Sequence, residues 1–199
     1  LPLALAAATA GYRVVGFDVD RAKVESLQGG RSYIKHIGED ELGAVISAGR
    51  LEATTDFAHL RAVDAIIVCV PTPLTAHRDP DLTYVIRTTE TIAPHLRRGH
   101  LIVLESTTWP GTTEEVMKPI LERSGLKSGE DFFLAYSPER EDPGNPAFTT
   151  RAIPKVIGGD GPIALRLADA LYSAIVAGTV TVSSTRTAEA VKLTENIFR

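Results

Sequence analysis

Arg13-Val14-Val15-Gly16-Phe17-Asp18 leads through Val19 into Asp20-Arg21-Ala22-Lys23-Val24-Glu25-Ser26-Leu27, and this passage decides the fold. Its first part is a short apolar run rich in valine that ends on a carboxylate. Its second part opens on an acid suited to capping and carries apolar residues at helical spacing. The same alternation recurs along the chain. Arg13 to Asp18, Leu51 to Thr54, Ala65 to Val70, Leu101 to Glu105, Phe132 to Tyr136 and Thr179 to Val182 read as strands. Asp20 to Leu27, Glu39 to Ala48, Leu82 to Ala93, Thr113 to Ser124, Pro162 to Ile175 and Thr185 to Arg199 read as helices. Thr112 and Glu115 have the spacing of a capping box, and Pro162 after Gly161 suits a first helical position, where its missing N–H costs nothing. Continuous apolar strands alternating with helices imply an α/β, doubly wound parallel sheet covered on both faces.

Working outward, the chain opens on Leu1-Pro2-Leu3-Ala4-Leu5, a helix-compatible run without a methionine, and is expected to be the remainder of a larger fold that lacks its first strand. No basic segment and cleavage site mark a signal peptide. At 199 residues with 44% hydrophobic and 23% charged composition, one substantial core is expected. A net charge of -4 with scattered basic residues gives no footprint for nucleic acid. The longest apolar runs, such as Ala65 to Val70, fall far short of the roughly 20 residues that span a bilayer, so no membrane insertion is expected. One cysteine, Cys69, excludes an internal disulfide, no Cys and His cluster has metal-ligand spacing, and a reduced cytoplasmic setting follows as the expectation. Two segments read as working loops, Gly29 to Gly38 and the proline-punctuated Ser137 to Val156.

Ligands of such sheets bind beyond the C-terminal strand ends, which directs attention to the polar residues there. Asp18 stands where a carboxylate accepts hydrogen bonds from adenosine ribose hydroxyls and repels a 2′-phosphate, favouring NAD over NADP; the alternative is a helix cap, which Asp20 can supply instead. Val70-Pro71-Thr72-Pro73 must leave the sheet, because proline cannot continue a central ladder, and it exposes the Thr72 hydroxyl. Cys69, inside that strand, reads as a small buried hydrophobe rather than a nucleophile. Glu105-Ser106-Thr107-Thr108, before Pro110-Gly111-Thr112, gathers a carboxylate and hydroxyls beside a helix N-terminus; polar turn residues are the plainer reading. Ser137-Pro138-Glu139-Arg140-Glu141-Asp142 sets acids around an arginine after a strand, with a solvated loop as its alternative. Lys192 and Asn196, four apart on the last helix, share a face on which an ammonium and an amide converge on one oxygen, unless they are surface residues.

In their order and spacing these pieces resemble the UDP-sugar 6-dehydrogenase family, whose members oxidise UDP-glucose or UDP-N-acetylhexosamines. The matching segments are Leu1-Pro2-Leu3-Ala4, Gly16-Phe17-Asp18, Val70-Pro71-Thr72-Pro73, Glu105-Ser106-Thr107 with Pro110-Gly111-Thr112, Ser137-Pro138-Glu139-Arg140, Ile157-Gly158-Gly159 and Lys192-Leu193-Thr194-Glu195-Asn196. Tyr33-Ile34-Lys35-His36-Ile37 and Ser137 to Pro146 look most like the branch acting on UDP-N-acetylglucosamine or a related N-acetylated sugar of bacterial surface polysaccharides. The resemblance implies a Rossmann-type NAD-binding domain over residues 1–184, with 185–199 starting the helix toward a central dimerisation domain. It further implies a four-electron oxidation of the sugar C6 alcohol with two NAD+, through intermediates on a cysteine of a later segment that this chain does not contain. A homodimeric or larger parent enzyme is expected, with no turnover from the 199 residues alone.

Carried over, the family pattern makes Thr107, Glu139, Lys192 and Asn196 the catalytic set and places Asp18, Lys23, Val70, Thr72, Ser106 and Thr107 around NAD. Asp18 would bind the ribose with Lys23 beside it, and Thr72 would line the groove. Thr107 would position a water, Glu139 would assist proton transfer, and Lys192 with Asn196 would stabilise an oxyanion. UDP-glucose enzymes carry a second glutamate shortly after the position of Glu139, where this chain runs Arg140-Glu141-Asp142-Pro143, leaving open which acid replaces it. Two other readings share the features in part: a single-hydride 6-phosphogluconate or 3-hydroxyacid dehydrogenase, and a non-catalytic NAD-binding regulator.

Overall fold

A computed structural model describes residues 1–34, 37–74, 80–139 and 153–198. The order is α1 (Pro2–Thr9), β1 (Val14–Phe17), α2 (Arg21–Gln28), α3 (Glu39–Ser47), β2 (Leu51–Thr54), β3 (Ala65–Val68), α4 (Thr83–Ile92), β4 (Leu101–Leu104), a π-helical turn (Thr112–Met117) running into α5 (Lys118–Glu122), β5 (Phe133–Tyr136), β6 (Lys155–Gly159), α6 (Pro162–Ser173), β7 (Thr179–Thr181) and α7 (Thr185–Ile197). Short 3-10 turns follow β2 and α4. Every strand and helix read from the sequence is present, with ends moved by a few residues, and Pro162 is the first residue of α6.

Strands β1 and β2 pair in parallel, and β3, β4, β5, β6 and β7 form a second sheet in that spatial order. A division thus separates the two sheets. Helix α1 spans it: Leu3, Ala6 and Ala7 pack with Leu101 and Val103, while Leu5 and Ala8 pack with Val24, Leu42 and Leu51. Small side chains on both sides of α1 allow that double contact. On the opposite face Phe17 stacks on Phe57 at 5.5 Å between ring centroids. The larger sheet is covered on one face around Ile102, Leu104, Met117, Phe132 and Tyr136, and on the other by Tyr172 and Ala168 of α6. Each fully buried side chain of that size contributes about 1.5–3 kcal/mol by leaving water.

Three features depart from the sequence-based expectation. The first is β6, which lies at the end of what reads as a loop; it pairs antiparallel with β5 through Ala135↔Gly159 and Tyr136↔Gly158, so the sheet is not wholly parallel. Antiparallel neighbours need no crossover helix, which suits a proline-rich connection. The second is the capping box: Thr112 Oγ1 donates to the Trp109 carbonyl and Glu115 accepts from Arg186. The Thr112 and Glu115 amides that such a box would satisfy donate to the Trp109 and Gly111 carbonyls, and Glu189 of α7 takes the neighbouring amides of Gly111 and Thr113. Gly111 precedes the turn at φ +113, a conformation that glycine adopts without strain. The third is that β3 stops at Val68, leaving Cys69 outside the strand and exposed rather than buried.

Beyond β6 the chain turns into α6 and returns through β7 to α7. Gly158 lets that return pass closely, because a Cβ there would collide with the carbonyl of Ser184 at the start of α7. That approach carries Glu189 and Lys192 back over the sheet. Among the described residues no helix is long and apolar enough to cross a membrane, and no group of His, Cys, Asp and Glu has the arrangement of a metal site.

Candidate functional site

The C-terminal ends of β1, β3, β4 and β5 bring the predicted residues to one rim. At its outer end Asp18 follows β1 directly, half-buried, with Oδ1 accepting from the Asp20 amide at 2.9 Å and Oδ2 3.5 Å from Lys23 Nζ. Asp20 accepts from the Ala22 amide and is the α2 cap, so Asp18 is left out of that role. Lys23 also lies over the Tyr33 ring, 5.9 Å from its centroid. Burial and the Asp18 charge push the Tyr33 hydroxyl above its ordinary pKa.

At the middle of the rim the ends of β3 and β4 are tied together. Ser106 Oγ accepts from the Val70 amide at 2.9 Å and donates to the Val70 carbonyl at 2.7 Å. The buried Ser106 thus fixes the backbone where the chain leaves the sheet, ahead of Pro71 and a half-buried Thr72. Thr107 is half-buried beside it. Although the residue as a whole is exposed, Cys69 Sγ lies 3.6 Å from Glu105 Oε2, and desolvation of the sulfur there together with that carboxylate pushes the thiol's pKa up, which is unsuited to a nucleophile at neutral pH.

At the inner end Glu139 follows β5, half-buried, and Lys192 reaches it from α7. The contact is from Lys192 Nζ to the main-chain carbonyl of Glu139, at 2.7 Å. Lys192 is buried and Asn196, one turn on, is exposed, so the two share a helix but not an environment. Arg140, Glu141 and Asp142, and with them the question of the second acid, lie outside the described residues, as do Lys35 and His36.

Below this rim lies a buried cluster that the sequence reading did not assemble. Glu105 Oε1 accepts from Lys155 Nζ at 2.5 Å and from the Tyr172 hydroxyl at 2.6 Å. Lys155 Nζ is also 5.1 Å from the Tyr172 ring centroid and donates to the Pro138 carbonyl at 3.3 Å. Burial raises the Glu105 carboxyl, against the pull of the Lys155 ammonium, and raises the Tyr172 hydroxyl further. On α7 the inward stripe Thr185, Ala188, Glu189 and Lys192 is mostly polar. Glu189 accepts from the Gly111 amide at 2.5 Å and, at Thr113, from the amide at 2.9 Å and the hydroxyl at 2.6 Å. A charge directly beside an apolar run, as in Leu104-Glu105 and Lys155-Val156-Ile157, and a polar stripe at helical spacing were the available signals.

With this geometry in place, the profile described as UDP-glucose/GDP-mannose dehydrogenase family, NAD binding domain, matches residues 1–176. The chain belongs to that family. Its cofactor is NAD, and the half-buried carboxylate at the end of β1 suits the adenosine ribose and not a 2′-phosphate. Among curated relatives, UDP-N-acetyl-D-glucosamine 6-dehydrogenase of Pseudomonas aeruginosa is 40% identical over 94% of this chain and 44% of its own length. UDP-N-acetyl-D-mannosamine dehydrogenase of Pyrococcus horikoshii is 38% identical over all of this chain and 48% of its own. The solved structure of the P. horikoshii enzyme superposes with a TM-score of 0.92 at 38% identity, covering 100% of this chain and 47% of that one. A ternary complex of GDP-mannose dehydrogenase from Pseudomonas aeruginosa superposes at 0.87 with 29% identity, covering 98% and 47%. The chain therefore spans about half the length of the family members it matches.

Proposed function

We propose that the protein carrying this chain oxidises the C6 alcohol of a UDP-sugar to the carboxylate, with UDP-N-acetylglucosamine as the preferred substrate and bacterial polysaccharide synthesis as its setting. The overall change is RCH2OH + H2O + 2 NAD+ → RCOO− + 2 NADH + 3 H+, and NAD supplies the hydride acceptor. The observation that carries this reading is the junction of Lys192 with Glu139 at the rim that also holds Asp18. An alcohol oxidation needs a charge that stabilises an oxyanion at C6 and a base that takes up protons, and this junction brings the Lys192 ammonium to the backbone of the residue that carries the carboxylate.

In this assignment Asp18 binds the adenosine ribose with Lys23 alongside, and Val70, Thr72 and Ser106 shape the cofactor groove. Thr107 orients the water consumed in the second oxidation. Asn196, exposed on α7, joins Lys192 at the sugar C6 oxygen. Residues 1–184 form the NAD-binding unit and α7 leads out of it toward a part that closes over the sugar. The names of the relatives favour an N-acetylated sugar, and two of them differ in which one.

The test is NADH formed per sugar consumed by the full-length gene product, with UDP-N-acetylglucosamine, UDP-N-acetylmannosamine and UDP-glucose run separately to completion. Two NADH per UDP-N-acetylglucosamine and little from UDP-glucose support the assignment. One NADH per substrate points to single-hydride chemistry, and none from any of the sugars points to a nucleotide sensor.

A further inference from the structure

Three hydrogen bonds hold the backbone around Glu139. The Pro138 carbonyl before it accepts from Lys155 Nζ at 3.3 Å, its own amide donates to the Glu105 carbonyl at 3.3 Å, and its own carbonyl accepts from Lys192 Nζ at 2.7 Å. Pro138 and Ser137 are buried, so the segment enters the rim from a fixed base. Lys155 is itself immobilised: its side chain is 3% exposed, and its ammonium is held by Glu105 Oε1, which the Tyr172 hydroxyl also engages. The three partners come from the end of β4, the start of β6 and the C-terminal end of α6.

A buried ion pair is a weak contributor to stability, because desolvation offsets most of the Coulomb gain and an apolar set of similar volume often does as well. What an apolar set does not supply here is a donor to the Pro138 carbonyl. We propose that Lys155, clamped by Glu105 and Tyr172, is a positioning residue that fixes where the Glu139 carboxylate stands in the site. This rests on the assignment of Glu139 to proton transfer. Lys155 and Lys192 grip the carbonyls on either side of one residue, so a shift of either ammonium carries the carboxylate with it. Misplacement of a reacting group by about 1 Å costs on the order of 100-fold in rate.

The test compares the full-length wild type with the apolar triple variant Glu105→Leu, Lys155→Met, Tyr172→Phe, which leaves no orphaned charge, and with Lys155→Arg, which keeps a donor. Two readouts are taken: hydrogen exchange of the Glu139 amide, and kcat and KM for the UDP-sugar and NAD+. In the triple variant we expect Glu139 exchange accelerated at least about 10-fold while the amides within β4 and β5 hold, and kcat reduced about 10- to 100-fold with KM for NAD+ little changed. Lys155→Arg recovers part of both. Unchanged exchange at Glu139, or wild-type kcat in a folded triple variant, overturns the proposal. If that variant does not fold, Lys155→Met and Lys155→Arg decide together: loosening at Glu139 in the first that the second restores supports the grip, and equal exchange in the two overturns it. Accelerated exchange in a protein whose wild type turns over no UDP-sugar supports the grip and overturns the proposed function alone.

Discussion

Glu105 and Glu189 are both buried carboxylates behind the same rim, and the fold satisfies them in opposite ways. Glu105 is met by an ammonium and a phenol from side chains far along the chain. Glu189 is met by the amides of Gly111 and Thr113 and one hydroxyl, all within a single turn. Burial raises the pKa of both. The difference lies in what fails when a partner is lost. A carboxylate with a lone counter-ion depends on that ion, whereas one held by backbone donors depends on the turn that presents them and on the helix that brings it there.

The comparison is broken most directly at Lys155. Lys155→Met leaves Glu105 buried without its cation and is expected to cost about 3–5 kcal/mol, whereas the apolar triple variant stays within about 1–2 kcal/mol of wild type. Urea denaturation of the three proteins measures this. A single variant as stable as wild type would mean that Glu105 needs no cation and is no different in kind from Glu189.

Glu189→Gln replaces an acceptor of several bonds with a group that presents N–H toward one of the amides, and should cost about 1–3 kcal/mol. The carboxyl's folded pKa is raised chiefly by burial, so the stability it contributes is full below the ordinary value of 4.5 and is lost as pH rises through the raised value. The variant has no such titration. The gap between wild type and Glu189→Gln should therefore narrow as pH rises from 4.5, and a gap that widens would show that the amides hold the carboxylate strongly enough to outweigh its burial.

Gly158→Ala tests the delivery of Glu189 rather than its partners. The new methyl meets the Ser184 carbonyl, and the start of α7 must shift outward. A loss of about 1–3 kcal/mol is expected, with faster hydrogen exchange at Gly111 and Thr113 and little change at Glu105. Equal loosening at both glutamates would mean that the two networks act as one.

These networks explain why some of the molecule was legible in the sequence and some was not. Asp18 stood out because a carboxylate closing an apolar run has a local meaning, and the strand and helix periodicities around it are local as well. β6 did not, because Lys155 and Val156 read as the end of a proline-punctuated loop and the two glycines that close the strand carry no strand signal. Their burial depends on Glu105 and on the close passage of α7, neither of which is near in sequence. The pairing of Thr112 with Glu115 misled for a related reason: local spacing offered a cap, but the turn is shaped by Glu189 of a distant helix, which takes the Gly111 and Thr113 amides and leaves those of Thr112 and Glu115 to backbone carbonyls. Lys192 was legible as a polar residue on the right face, but its hydrogen bond to the Glu139 carbonyl was visible only in three dimensions.

Asp18 supplies the other limit of the comparison, an acid near the surface. Its contact with Lys23 is 3.5 Å, with side chains 33% and 44% exposed respectively, so solvent screens the pair. Asp18→Ala should change stability by less than about 1 kcal/mol, far below either buried glutamate. Under the proposed assignment of Asp18 to the adenosine ribose, its effect belongs to the cofactor. Removing a charged acceptor of two ribose hydroxyls should weaken NADH binding by about 10- to 100-fold, from roughly 1.5–3 kcal/mol of charged hydrogen bonding. NADPH binding should improve relative to NADH, because the repulsion of a 2′-phosphate is gone while Lys23 stays. Fluorescence titrations of the wild type and the variant with both nucleotides measure the ratio. A variant that loses both equally would place the adenosine ribose away from β1, and one that loses stability like Lys155→Met would make Asp18 a structural acid after all.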